Sequence, residues 1–256
     1  MTELEKQLYN RSELLLGAEK MTRLGETRVI LIGTGGVGSW CAESLVRSGV
    51  RHLTLVDSDK VCLTNCNRQL MATPRTVGRI KVDALRERLL EINPNADITA
   101  LRKVYSAENA ESFDLASYHF IIDAIDSLQE KVHLIQHATR LVKECGDITF
   151  LSSMGAALRV DPTRVRVDEF WNIQGDPLAR ALRERIRKSG IFPASKFLCV
   201  YSQEPPLPNV GSPAPANDEG APQEQWGARK ARINGSLSHI TGIFGLTLAG
   251  LVIQKR

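Results

Sequence analysis

Hydrophobic positions recur along this chain with two different periods, and the alternation between them predicts its architecture. Residues 28–33 (RVILIG) form a β-branched run closing on glycine. Val37, Trp40, Cys41 and Leu45 then repeat at helical spacing across 35–48. This predicts strand, tight turn, helix. Residues 52–57 (HLTLVD) predict a second strand, and 76–92 a helix with Val82, Leu85, Leu89 and Ile92 on one face, stopped by Pro94. Further strands are predicted at 97–104, 119–124 and 148–153, separated by helical segments at 107–115 and 127–145, after a charged, helix-prone lead over 2–25. Strands alternating with helices imply an α/β fold, a Rossmann-like, mostly parallel sheet flanked by helices.

After residue 155 the rhythm breaks. A strand at 164–168, a basic helix at 177–188 and a strand at 197–202 form a C-terminal extension, and 240–253 closes the chain. That last apolar run is about 14 residues long, short of the ~20 a bilayer requires, and predicts a buried helix rather than a membrane span. Six of the eleven prolines fall between Pro205 and Pro222, too polar a stretch to bury apolar surface, so 203–225 is expected to be a mobile loop. The reading is one domain over 1–256, with a nucleotide-binding core at 26–154 and a substrate-binding extension at 155–256.

At 256 residues and 43% hydrophobic content, neither a disordered chain nor a miniature scaffold fits. The +4 net charge permits an RNA or phosphate partner without demanding one. The first ten residues are charged where a signal peptide would be apolar. With an odd five cysteines (Cys41, Cys62, Cys66, Cys145, Cys199) and no CxxC pair, the expectation is a cytoplasmic protein of free thiols.

The first strand-turn-helix unit carries GxGxxG as Gly33, Gly35, Gly36 and Gly38, and Asp57 ends the next strand 19 residues after Gly38. Glycines let the backbone approach phosphates at a helix N-terminus, and the carboxylate can accept from ribose hydroxyls. This fits NAD and ATP alike. Downstream lie Asp59, Asn65, Arg68, Gln69, Lys81, Asp123 and Asp126. A triphosphate under attack concentrates charge and calls for cations and a metal-binding carboxylate, which Arg68, Lys81 and Asp126 supply.

On these residues the chain resembles the ubiquitin-activating-enzyme (ThiF/MoeB-like) superfamily, whose pattern of GxGGxG, paired aspartates, N-x-x-R-Q, G-x-x-K and D-x-x-D stands here as 33–38, Asp57 and Asp59, 65–69, 78–81 and 123–126. The resemblance implies ATP with Mg2+. It gives Asp57 to ribose, Asn65, Arg68 and Lys81 to the phosphates, and Asp126 to the metal and the attack at the α-phosphate. Arg11, in Tyr9-Asn-Arg11, is similar to an arginine that relatives contribute across a dimer interface, which implies a homodimer. Within the superfamily the chain is most similar to the branch that dehydrates threonylcarbamoyladenosine in tRNA. The similarity runs through 11–17, 64–70, 154–156, 161–164, 176–179, 200–206 and 235–245. A monovalent cation and a sulfur-relay protein partner stay open; a membrane partner is not expected.

The RNA would meet cations, and Arg180, Arg183, Arg185, Arg187 and Lys188 form one cluster, Arg229, Lys230 and Arg232 a second. The alternative reading is an adenylating enzyme for a ubiquitin-like sulfur-carrier protein. Relatives of that kind carry two zinc-binding CxxC pairs, which this chain lacks. A nucleotide-sensing scaffold and an NAD dehydrogenase are weaker alternatives. Cys145 and Cys199 read as incidental and core thiols, and His133 with His137, four apart on a helix, lack a third metal ligand nearby.

Overall fold

In the computed structural model, which describes residues 2–212 and 234–256, the charged lead forms three short helices, α1 (Glu3–Leu8), α2 (Asn10–Leu16) and α3 (Ala18–Glu26). The Thr2 hydroxyl accepts from the Glu5 amide and the Glu5 carboxylate accepts from the Thr2 amide, satisfying two orphan donors at the start of α1. The α/β alternation follows: β1 (Arg28–Ile32), α4 (Gly36–Arg47), β2 (His52–Val56), α5 (Lys81–Ile92), β3 (Asp97–Leu101), β4 (Phe120–Asp123), α6 (Leu128–Cys145) and β5 (Thr149–Ser153). The extension adds β6 (Val165–Glu169), α7 (Pro177–Ser189), β7 (Leu198–Ser202) and α8 (Ser238–Lys255).

The seven strands form one sheet in the order β3-β2-β1-β4-β5-β7-β6, every neighbouring pair parallel except β6 with β7. Alternate residues of β1 feed opposite layers. Val29 and Leu31 pack with α3, α4, α5 and α8 on one face, and Ile30 and Ile32 with α6 and α7 on the other. The order reverses at β1, which lies between β2 and β4, and this switch point opens a crevice at the carboxyl ends of the strands.

Two boundaries differ from expectation by more than two residues, and one element differs in kind. Helix α5 starts at Lys81, not at residue 76. Gly78, at φ +86°, turns the chain so that its amide donates to the Val61 carbonyl, and the Val61 amide donates to the Arg79 carbonyl. Strand β3 stops at Leu101 rather than 104. The helix expected over 107–115 is two 3-10 turns, Ala110–Phe113 and Leu115–Ser117, separated by Asp114 in the left-handed region at φ 44°. The first part of the Pro-rich stretch is tied to the fold, Gln203 donating to the Arg164 carbonyl and Leu207 to that of Leu158. Residues 213–225, and Arg229, Lys230 and Arg232, lie outside the described residues.

Helix α8 packs along α4 with Ile240, Phe244, Leu248 and Val252 fully buried. The two backbones approach so closely at Gly245 that a Cβ there would stand 2.4 Å from the Val37 carbonyl oxygen and 2.7 Å from the Cys41 amide. Only glycine fits that crossing. Among the described residues no helix is long and apolar enough to cross a membrane.

Candidate active site

The turn between β1 and α4 lies in the crevice, each of its glycines for a different reason. Gly33 is at φ +94°, and a Cβ on it would fall 2.6 Å from the Ala124 carbonyl oxygen, so the turn rests directly on the segment leaving β4. A Cβ on Gly38 would stand 1.9 Å from the Gly33 carbonyl oxygen, which fixes the close approach of helix to strand. A Cβ on Gly36 would press on Thr241 of α8 at 3.1 Å. Gly35 faces open space, its nearest neighbour the Gln69 amide nitrogen at 3.9 Å. The first amides of α4 have no acceptor within the helix, leaving donors aimed into that space.

Two aspartates hold the turn and the adjoining cation. Asp57, just past β2, accepts from the Thr34 amide (2.8 Å) and hydroxyl (3.0 Å) through Oδ2, and from the Asp59 amide (2.9 Å) through Oδ1. The Asp59 carboxylate receives the Lys81 ammonium at 2.7 Å, and its carbonyl the Lys81 amide at 2.9 Å. The late start of α5 thus brings Lys81 back onto the crevice. Burial works against the Lys81 charge, but Asp57 and Asp59 outweigh it, and its pKa is raised.

Residues 65–69 form a turn over the same opening. The Arg68 and Gln69 amides donate to the Asn65 carbonyl, whose side-chain oxygen accepts from the Cys62 amide. Helix α4 clamps the turn through the Trp40 indole, which donates to the Arg68 carbonyl at 3.0 Å, and through the Ser39 hydroxyl, which accepts from the Leu70 amide. The Arg68 guanidinium donates to the Thr64 carbonyl and the Asn67 side chain. Burial depresses its pKa, and the charge of Asp126 opposes that shift. Gln69 is buried beside Gly35, and its Oε1 has no hydrogen-bond partner among the described residues.

The two aspartates that close β4 part company. Asp123 is fully buried: Oδ2 meets the Lys131 ammonium at 2.8 Å and the Ser152 hydroxyl at 2.6 Å, and Oδ1 accepts the Ile125 amide at 3.1 Å. Lys131 also donates to the Ile125 carbonyl. Asp126, three residues on, is exposed at the mouth of the crevice. The network sets the path of 124–126 and leaves Asp126 available.

Glycine turn, Asp57, Asp59, Lys81, Asn65, Arg68, Gln69 and Asp126 are thus brought together. Arg11 is not; it is exposed on α2. Sequence reasoning missed Thr34, Ser152 and Lys131. It also missed Arg159, 2% exposed, whose Nη2 lies 3.8 Å from Asp176 and whose Nε and Nη1 have no partner among the described residues. A signal for Lys131 existed, because it shares the apolar stripe of α6 with Leu134, Ile135 and Ala138. Arg183, expected to face RNA, instead donates to the carbonyls of Phe170, Trp171 and Ile173, and so clasps its own fold. Burial pushes the Cys41 and Cys199 thiols up, and Cys145 is exposed. His133 and His137 both meet the Tyr105 hydroxyl, at 3.0 and 3.1 Å. Among the described residues no group of three or more His, Cys, Asp or Glu is placed to hold a metal ion.

The model of the ThiF family matches residues 9–255. The tRNA threonylcarbamoyladenosine dehydratase of Bacillus subtilis (strain 168) is 37% identical over 96% of this chain and 93% of its own length. A crystal structure of the Escherichia coli tRNA N6-threonylcarbamoyladenosine dehydratase TcdA in complex with ATP superposes with a TM-score of 0.83 at 28% identity, covering 99% of this chain and 95% of that one. The molybdopterin-synthase adenylyltransferase of Escherichia coli (strain K12) is 29% identical over 78% of this chain and 74% of its own length.

Proposed function

The chain belongs to the ThiF family, and from that membership and the cleft we propose that it is an ATP-dependent dehydratase of threonylcarbamoyladenosine in tRNA. The observation that carries the reading is the convergence at one switch point of an open glycine turn, the buried Lys81, the half-buried Arg68 and the exposed Asp126 carboxylate. The RNA substrate comes from likeness to the dehydratases, which covers nearly the whole chain, whereas the sulfur-carrier relative matches less of it. Residues 26–154 hold the nucleotide, and 155–256 meet the RNA.

In this reading ATP enters over Gly35, where a Cβ would have only the Gln69 amide nitrogen within 4 Å, at 3.9 Å. Asp57 turns a carboxylate oxygen to ribose, and Asn65, Arg68 and Lys81 take the phosphates, Lys81 moving off Asp59. Asp126 fits as a Mg2+ ligand, since that ion is satisfied by one or two carboxylates with water and phosphate oxygens. When bound, the ion neutralises phosphate charge. Arg11 would come from a second copy in a homodimer.

The threonine carboxylate attacks the α-phosphorus, a P–O bond forms, and pyrophosphate leaves. The carbamoyl group then attacks the activated carboxyl carbon, closing a five-membered ring and expelling AMP, which carries away the oxygen lost as water; the proton goes to solvent. Nucleophile and electrophile share one side chain, so effective molarity is high and no enzyme thiol is required. That agrees with the buried, raised Cys41 and Cys199.

Mass spectrometry of nucleosides from tRNA incubated with the chain, ATP and magnesium tests the reading. The threonylcarbamoyl nucleoside loses the mass of one water, with AMP formed in step. An unchanged nucleoside together with ATP–pyrophosphate exchange stimulated by a Gly-Gly-ended carrier protein would overturn it.

A further inference from the structure

Far from the cleft the chain exposes an aromatic pair that core packing does not account for. Strand β6 runs antiparallel to β7 with Glu169 opposite Leu198, so Phe170 and Trp171 leave the sheet at the amino ends of its parallel strands. The glycine turn lies at the carboxyl ends, and a five-residue strand puts roughly 16 Å between the two edges. There Trp171 is 36% exposed, Phe192 56% and Ile191 60%, with the two ring centroids 6.1 Å apart.

The pair is held rigidly. The three carbonyls that receive Arg183 lie on either side of and at Trp171, whose own amide donates to Glu169 at 2.9 Å. Phe170 beneath it stacks on Phe197 at 5.0 Å. Helix α7 ends on Gly190 at φ +72°, which reverses the chain, and Gln136 fixes the return by donating to the Ile191 carbonyl. Ordering of this face is already complete before any partner arrives.

Cations outnumber acids around it, Asp168 and Glu169 at the end of β6 being held by the Asn172 side chain and the Trp171 amide. The guanidinium of Arg187 lies 5.6 Å from the Trp171 ring centroid. Arg180, Arg185, Arg187, Lys188 and Lys196 are exposed, and none makes an ion pair among the described residues; Glu184 is the one acid on α7. An acidic protein would answer the cations without needing two fixed ring faces. Unpaired nucleotides answer both, because phosphates meet cations and every base offers a face to stack.

We propose that this face is a second RNA contact, in which Trp171 and Phe192 stack an unpaired base of the tRNA substrate while Arg187 and Lys188 neutralise adjacent phosphates. The inference rests on the reading of the substrate as tRNA. It anchors the RNA away from the reacting nucleotide and so governs affinity rather than the chemical step.

The test measures binding of threonylcarbamoyl-tRNA to the full chain across a salt series, with turnover at saturating RNA alongside. Arg187→Glu/Lys188→Glu weakens binding about tenfold at low salt and lowers the slope of log K against log salt by about two. Phe192→Ser, at an exposed position, weakens binding about fivefold or more with the slope unchanged. Both keep ATP affinity and kcat. Binding and slope unaltered in both variants, or loss confined to a protein partner, overturns the inference while leaving the dehydratase reading intact. A wild-type chain that neither binds nor dehydrates the RNA fails the dehydratase reading itself, a distinguishable result, and takes this inference with it.

Discussion

Replacing Lys131 with methionine tests whether the buried network behind Asp126 sets the geometry of the cleft. The substitution preserves length and removes the ammonium that meets Asp123 at 2.8 Å, both groups being fully buried. Asp123 retains the Ser152 hydroxyl and the Ile125 amide but becomes an uncompensated interior charge, and the Ile125 carbonyl loses its donor. Breaking a buried pair from one side costs about 3–5 kcal/mol. In a chain of this size that corresponds to a drop in Tm of roughly 6–20 °C. Urea unfolding gives the free energy, and kcat measured well below the new Tm reports the displaced Asp126. Removing both partners as Asp123→Leu/Lys131→Met should cost less than the single change, since no lone charge is left. A loss under about 1 kcal/mol for Lys131→Met, with kcat retained, would refute the reasoning.

The glycines of the turn should separate fold from binding: Gly38→Ala, whose Cβ would stand 1.9 Å from a carbonyl oxygen, loses the turn and lowers Tm, whereas Gly35→Ala keeps Tm and loses ATP affinity, both checked by calorimetry. Lys81→Ala and Asp126→Ala should each lower kcat by about 100-fold to 1,000-fold in the nucleoside assay, the scale set by removing one group that stabilises developing charge. Acid should unfold the chain through His133 and His137. Burial, the largest cause, holds both below the ordinary 6.5, helped by Arg140 and opposed by Glu111, with Glu108 also opposing at His133. The unfolded state therefore takes up protons first, and stability that is complete above pH 6.5 falls as pH drops through the folded values. Denaturation midpoints between pH 7 and 5 measure this, and His133→Gln/His137→Gln should flatten the curve to the share left by His119.

The parts legible in the sequence were those written in local period. The run of β1 and the spacing of α4 place the glycine turn within a residue, because the glycines interrupt a strong apolar pattern on both sides. Residues whose role depends on a distant partner were not legible in that way. Lys131 sits on the apolar stripe of α6, but its partner is unknown until β4 puts Asp123 beside it, and Arg183 looks like an RNA ligand until the end of β6 supplies three carbonyls. Helix α5 starts later than the sequence predicts because the backbone of 76–80 pairs with that of 59–61, a long-range contact that local pattern does not carry. Arg11 shows the same boundary from the other side, since its expected role needs a second copy.

The close crossing at Gly245 has a bearing on biosynthesis. All seven strands and the turn after β1 leave the ribosome before α8, yet α4, the helix that follows the glycine turn, is flanked by α8 on the same face of the sheet, where a Cβ on Gly36 would stand 3.1 Å from Thr241. A nascent chain lacking α8 would carry an unsupported cradle, so nucleotide capture should switch on late in translation, and chains cut short before Ser238 should be inert toward ATP and vulnerable to proteases.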